Sequence, residues 1–160
     1  MSSSSASEAW SVTLRLLTRR SRSEAELTAA LRRKGFADDV VAGALERGRR
    51  LGYLDDRRFA LERARALMAG GRAVGSRLLA ELRRHGVAEE TAREALTAIG
   101  AEIDEEQVLE GLVYRRFPRF RFAAAPDGER RRVVNYLLRR GFPLAQILEF
   151  LQRERQTAPR

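Results

Sequence analysis

Leu27-Thr28-Ala29-Ala30-Leu31-Arg32-Arg33-Lys34-Gly35-Phe36 decides the fold, because its spacing returns twice further along the chain. Leu27-x3-Leu31-x3-Gly35-Phe36 reappears as Leu78-x3-Leu82-x3-Gly86-Val87 and as Val133-x3-Leu137-x3-Gly141-Phe142. Beyond each glycine a second pattern follows, as Val41 and Leu45, then Ala92 and Leu96, then Ile147 and Leu151. The first two copies lie 51 residues apart, and the second and third 55. Apolar residues four apart line one face of a helix, and a glycine four residues after the last of them suits a C′ position that needs φ > 0. Self-similarity at such a period is the signature of a repeat architecture. A chain that repeats one helical unit presents a long surface more readily than one catalytic pocket. That points to binding.

Working outward, each repeat reads as three helices. The expected spans are approximately 7–20, 24–34 and 38–51, then 55–69, 75–85 and 89–99, then 104–116, 128–140 and 143–155. Ser23-x-x-Glu26 is a capping box that starts the second helix. Asp55 and Asp127 read as N-caps, and Pro143 suits the first turn of the last helix. The first helices match least well: Ala9 and Thr13 fall over Ala60 and Ala64, while the third copy departs. The four extra residues of the longer spacing belong in 117–126, a connection closed by two prolines. No stretch alternates with period two, so no strand is expected. The expected fold is all-α, a tandem array of three three-helix repeats, elongated or curved. Its parts are a loose tail at 1–6, repeats at 7–53, 54–103 and 104–155, and a second tail at 156–160.

Composition narrows the function classes. At 160 residues with 44% hydrophobic content the chain can fold as one domain or as three units sharing a core. It has no cysteine, which removes disulfides and thiolate metal sites and suits a reducing cytosol. No apolar run approaches the roughly 20 residues of a membrane helix, and the serine-rich start lacks the regions of a signal peptide. A cytoplasmic location is expected, with no membrane partner, and capped helical ends point to a monomer. Net charge is +9, and of the 31 basic residues only Lys34 is not arginine. Arginine grips phosphate and carboxylate in bidentate fashion, although a GC-rich genome would give the same bias. Residues 1–53 carry +4, 54–104 carry 0 and 105–160 carry +5, a neutral middle between basic ends.

The search for chemistry finds little. Asp55-Asp56 is the one adjacent acidic pair near aromatic residues, Tyr53 and Phe59, but no third ligand stands at a helical spacing. Both carboxylates fall at a helix start, where the macrodipole favours negative charge, so capping is the better reading. His85 is the single histidine and reads as a helix-end cation or surface residue, since no triad partners surround it. Gly70-Gly71-Arg72-Ala73-Val74-Gly75 lacks the Gly-Lys-Ser/Thr of a phosphate loop. No catalytic residue, metal ligand or cofactor is expected, and the protein reads as a non-enzyme.

The arginines remain. Arg33, Arg84 and Arg139 share one repeat position at helix C-termini, where cations are mildly stabilising. Arg130-Arg131-Arg132 falls instead in the first turn of its helix, where positive charge is unfavourable. In Tyr114-Arg115-Arg116-Phe117-Pro118-Arg119-Phe120-Arg121-Phe122 basic and aromatic residues interleave. Such a segment suits phosphate contact with base stacking, or a hydrophobic protein groove; equally, the phenylalanines can pack inward and leave the arginines solvated.

Three segments together resemble one family. They are Gly52-Tyr53-Leu54-Asp55-Asp56-Arg57-Arg58-Phe59-Ala60, Arg22-Ser23-Glu24-Ala25-Glu26-Leu27 leading to Leu31 and Gly35-Phe36, and Tyr136-Leu137-Leu138-Arg139-Arg140-Gly141-Phe142. On these the chain resembles RecX, the regulators of the RecA recombinase, over about residues 8–153. The resemblance implies an array of three-helix units lying in the groove of the RecA–single-stranded-DNA filament. There it would restrain filament growth, ATP turnover, strand exchange and SOS co-protease activity, without catalytic residues of its own. Some members also bind DNA directly. The contact residues expected on that basis are Arg130, Arg131 and Arg132 with Arg115, Arg116, Arg119 and Arg121, and more weakly Arg32, Arg33, Arg49 and Arg50. A direct, nonspecific DNA-binding protein is the alternative, and a scaffold for an amphipathic peptide a third reading.

Overall fold

The structure, a computed structural model, describes residues 2–157. Among them are nine α-helices and no strand, in three successive groups of three. The first group is α1 (Ser2–Arg19), α2 (Glu24–Arg33) and α3 (Asp38–Arg50); the second is α4 (Asp56–Ala69), α5 (Gly75–Arg84) and α6 (Glu89–Glu102). The third is α7 (Glu105–Arg116), α8 (Asp127–Arg140) and α9 (Leu144–Thr157). The periodic apolar residues are the core. Leu27, Leu31, Leu78, Leu82, Val133 and Leu137 are all 0% exposed, and burying each such side chain contributes about 1.5–3 kcal/mol.

Three local expectations change. Residues 2–6 extend α1 instead of forming a tail. Helix propagation costs little once a nucleus exists, and here the nucleus is held by buried Ala9 and Val12. Another is Asp127, which is not a cap: Pro126 takes that place without a side-chain hydrogen bond, and Asp127 lies inside the first turn of α8. At the far end α9 continues through Thr157, so 156 and 157 are helical, while 158–160 fall outside the described residues.

By packing, the chain falls into two compact units that do not follow the repeat boundaries. One comprises Met1–Glu62 with Leu82–Ala95, the other Arg63–Glu81 with Leu96–Arg160. In the first unit α1, α2 and α3 pack together around Ala9, Val12, Leu27, Leu31, Val41, Ala44 and Leu54. The Gly86 corner at the end of α5 closes on the start of α2. Ser23 Oγ donates to the His85 carbonyl, and a Cβ on Gly86 would lie 2.2 Å from the Ala25 methyl.

The second unit, in which α8 and α7 each pack on α9, contains the same junction one repeat later. Val74, the counterpart of Ser23, donates its backbone N–H to the Arg140 carbonyl at 2.9 Å. Gly141 is the counterpart of Gly86; a Cβ there would lie 2.1 Å from the Val74 carbonyl oxygen. In each unit the start of one repeat's second helix is thus fastened to the glycine corner of the next repeat. The periodicity read from the sequence is a periodicity of junctions as well as of cores.

Candidate interaction surfaces

The segment 117–126 is a succession of turns with Phe120 buried and Phe117 and Phe122 half-buried. Phe120 is buried and meets Phe122 edge-on at 6.4 Å, while Phe117 meets Tyr136 edge-on at 5.2 Å. Phe120 thus packs inward, while an edge-on contact covers one ring face at most and Phe117 and Phe122 stay half-buried. Arg130 secures the segment: its Nε donates to the Phe122 carbonyl at 3.0 Å and its Nη2 to the Ala123 carbonyl at 3.2 Å. Its guanidinium also sits 5.0 Å over the Phe122 ring. This supplies the local folding benefit that the sequence does not reveal, and it sets Arg130 apart from its two neighbours.

Arg121 Nη1 likewise donates to the Phe120 carbonyl at 2.9 Å, and the Arg116 guanidinium stands 5.9 Å from the Phe117 ring. Arg115, Arg119, Arg131 and Arg132 are exposed and have no ion-pair partner among the described residues. Of the three arginines expected in the first turn of α8, only Arg130 lies there; Arg131 and Arg132 follow in the second turn, beyond the reach of the helix dipole.

In the first unit the expected arginines also divide. Arg49 is gripped by Glu24 through two bonds of 2.6 and 2.8 Å and by Glu46 at 2.9 Å. Arg32 pairs with Asp38 at 2.8 Å. Arg33 and Arg50 are exposed and unpaired among the described residues.

One further basic surface emerges that sequence order conceals. A cleft of about 350 Å³ is lined by Arg20, Arg22, Ala25, Glu26, Ala29, Arg33, Arg83, Arg84, His85 and Gly86, all in the first unit. Glu26 is its one acid. Arg20 holds the Glu26 carboxylate with two bonds of 2.9 and 3.1 Å, and His85 Nδ1 lies 2.9 Å from Oε1. Burial works against the Glu26 charge, but Arg20 and His85 outweigh it and keep the carboxyl below its usual range. Burial, together with nearby Arg20 and Arg33, pushes the Arg22 guanidinium below its ordinary value. His85 is therefore neither a simple helix-end cation nor a surface residue: it is half-buried, edge-on to Phe59 at 5.8 Å, and its carbonyl is part of the junction. The signal lay in the repeat phase, because position 85 of one repeat meets position 23 of the one before.

The Asp55-Asp56 pair behaves as architecture. Asp55 Oδ1 accepts from the Arg58 amide at 3.1 Å and so caps α4. Asp56 Oδ1 accepts from the Glu24 amide at 2.8 Å and so ties α4 to the start of α2. Among the described residues no cluster of three or more His, Cys, Asp or Glu could hold a metal. Burial raises the Asp56 pKa despite the Glu24 amide, so its charged form opposes folding. Asp56→Asn, which keeps the acceptor and removes the charge, should leave stability unchanged or slightly higher at pH 7. Any gain should vanish in urea melts below the ordinary carboxylate pKa, where both states are protonated. Asp56→Ala strands the amide and should cost about 1–2 kcal/mol.

The comparisons agree with this architecture. Residues 9–47 match the family model described as RecX, first three-helix domain, and 55–96 match that of the second three-helix domain. The chain is 48% identical over 148 residues to the regulatory protein RecX of Syntrophotalea carbinolica, covering 92% of this chain and 97% of that one. It is 41% identical over 144 residues to the regulatory protein RecX of Mycolicibacterium smegmatis, covering 84% and 73%. In fold it resembles the crystal structure of RecX from Lactobacillus salivarius, with TM-score 0.76, 17% identity and coverage of 96% and 99%. A second crystal structure, of regulatory protein RecX, gives TM-score 0.77 at 22% identity, covering 95% of this chain and 73% of that one. With three-helix repeats, both family-model matches and this near full-length identity, the chain belongs to the RecX family of regulatory proteins.

Proposed function

We propose that this protein is a non-enzymatic regulator, chiefly an inhibitor, of the RecA recombinase. It acts by binding the groove of the RecA–single-stranded-DNA filament and so modulates filament growth, ATPase, strand exchange and SOS co-protease activity. It works as a cytoplasmic monomer without a cofactor. The observation that carries the reading is the pair Arg131 and Arg132, exposed and without an ion-pair partner among the described residues. Membership of the RecX family supports RecA as the partner that this charge would meet. Contacts on two neighbouring filament subunits would gain from effective concentration, favouring filament over free monomer. Arg115 and Arg119 extend the same contact, while Arg33 and Arg50 are the remaining candidates in the first unit.

The test is co-sedimentation with preformed RecA–single-stranded-DNA filaments beside bare single-stranded DNA at the same salt. Saturable binding to filaments at a salt concentration that abolishes bare-DNA binding is the expected result. Equal binding to both would replace this reading with that of a nonspecific DNA binder. Reversing Arg131 and Arg132 to glutamate should weaken filament binding about tenfold or more while leaving the thermal melt in place. Retained binding would take α8 out of the contact.

A further inference from the structure

Six large apolar side chains are exposed among the described residues, and three of them, Leu138, Leu144 and Leu148, lie on α8 and α9. The repeat phase shows what they replace. Position 138 corresponds to Arg32 in the first repeat and Arg83 in the second, position 144 to Asp38 and Glu89, and position 148 to Ala42 and Arg93. Those charged side chains meet: Arg32 pairs with Asp38 at 2.8 Å, Arg83 with Glu89 at 3.4 Å and Arg93 with Glu89 at 2.6 Å. The same positions of the third repeat therefore make one contiguous apolar patch, its leucines 40%, 48% and 41% exposed. Local structure does not account for it. Leu144 is the first residue of α9, where the acid of the other two repeats gains from the macrodipole, and the leucine forgoes that gain and the ion pair together. We propose that the patch is a docking site for an amphipathic helix of a partner protein, apolar along one stripe and acidic beside it.

Charge and size select this occupant. Residues 127–157 carry seven arginines against four acids. Arg139, next to Leu138, and Arg155, two turns beyond Leu148, are exposed and have no ion-pair partner among the described residues, and Glu149 is the one acid adjoining the leucines in sequence. A second copy would bring like charge against like charge, and three leucines offer far less than the roughly 800 Å² per partner that a stable dimer buries. An acidic partner gains at both arginines instead. Leu144 and Leu148 stand one turn apart, the spacing of anchors at i and i+4 on an approaching helix. No strand edge exists among the described residues for a β-strand to join. The filament reading rests on arginines and makes no use of these leucines.

Fluorescence anisotropy of the intact protein with a labelled helical peptide, leucines at i, i+4 and i+7 and glutamates flanking them, tests this. The double variant Leu138→Arg with Leu144→Glu writes the ion pair of the second repeat into the third. It should weaken peptide binding about tenfold or more while the melting temperature holds or rises. Leu51→Glu, at an exposed leucine of the first unit, should leave binding unchanged. A peptide with lysines in place of the glutamates should bind several-fold more weakly. No binding of the acidic peptide by the wild type, or equal binding by the double variant, overturns the site. Equal binding of the lysine peptide overturns it too, because it removes the acidic partner. Flotation with vesicles of phosphatidylglycerol and phosphatidylethanolamine, abolished in the double variant, would make the patch a lipid contact and overturn the proposal as well. Pelleting with RecA filaments keeps the two readings apart. The double variant should pellet like the wild type, and its loss from the pellet would make the leucines part of the filament contact and overturn a separate partner. Wild-type protein that binds the peptide but not the filaments sinks only the filament reading.

Discussion

Gly141→Ala should destabilise the protein by about 3 kcal/mol or more, lowering the melting temperature by roughly 6–12 °C. Two costs combine. The residue sits at φ +100, where an L side chain costs about 1 kcal/mol. The added methyl would also lie 2.1 Å from the Val74 carbonyl oxygen and 2.7 Å from the Arg77 Cβ, so the backbone of the junction must shift. Gly35 is the internal control. It occupies the same position of its repeat at φ +87, yet nothing lies within 4 Å of its would-be Cβ, so Gly35→Ala should cost only the conformational term, about 1 kcal/mol. Gly86→Ala should fall near Gly141, because its methyl would meet the Ala25 Cβ at 2.2 Å. Urea melts of the three variants decide the matter, and equal losses at all three would remove the junction from the account.

Ser23→Ala carries the second large effect, about 2–4 kcal/mol from one oxygen atom. The buried hydroxyl accepts from the Glu26 amide at 3.2 Å, capping α2, and donates to the His85 carbonyl. Losing the cap costs about 1 kcal/mol, and leaving a shielded carbonyl without its donor costs about 1–3 kcal/mol. Ser21→Ala, two residues earlier on an exposed side chain, should change stability by no more than about 0.5 kcal/mol. If both serines prove equally dispensable in thermal melts, the Ser23 hydroxyl holds neither helix nor junction.

Much of this fold was legible because its determinants are local. The spacing Leu27-x3-Leu31-x3-Gly35 places a helix, its buried face and its end with no knowledge of any neighbour, and all three copies behave as read. The Ser23 cap on the Glu26 amide was legible for the same reason, its atoms being three residues apart, but the other half of the capping box was not realised: the Glu26 carboxylate turns to Arg20 and His85. What the sequence concealed is what one side chain does at long range. Ser23 also reaches His85, Glu26 also reaches His85, and Asp56 reaches the Glu24 amide. Only the first is marked by the repeat phase, as position 23 against position 85; the other two have no periodic signature. Function was less legible than fold, since an arginine looks alike whether it is free or engaged. Arg49 and Arg130 carry the same charge as Arg33 and Arg131, but carboxylates hold the first and loop carbonyls the second. Net charge by segment therefore located basic regions without separating the residues available to a partner from those already in use.

The fastening between repeats has an evolutionary corollary. Its acceptor is a main-chain carbonyl, which every residue type supplies, and the donor is a hydroxyl in one instance and a backbone amide in the other. The only strict demand is glycine at the corner. The side chain above that carbonyl was left free to diverge, and it became histidine at 85 and arginine at 140. Lengthening such a protein by gene duplication asks little new of the sequence. A copied unit arrives with its dock already written into its backbone, and selection can rework the outward-facing side chains while the number of units changes.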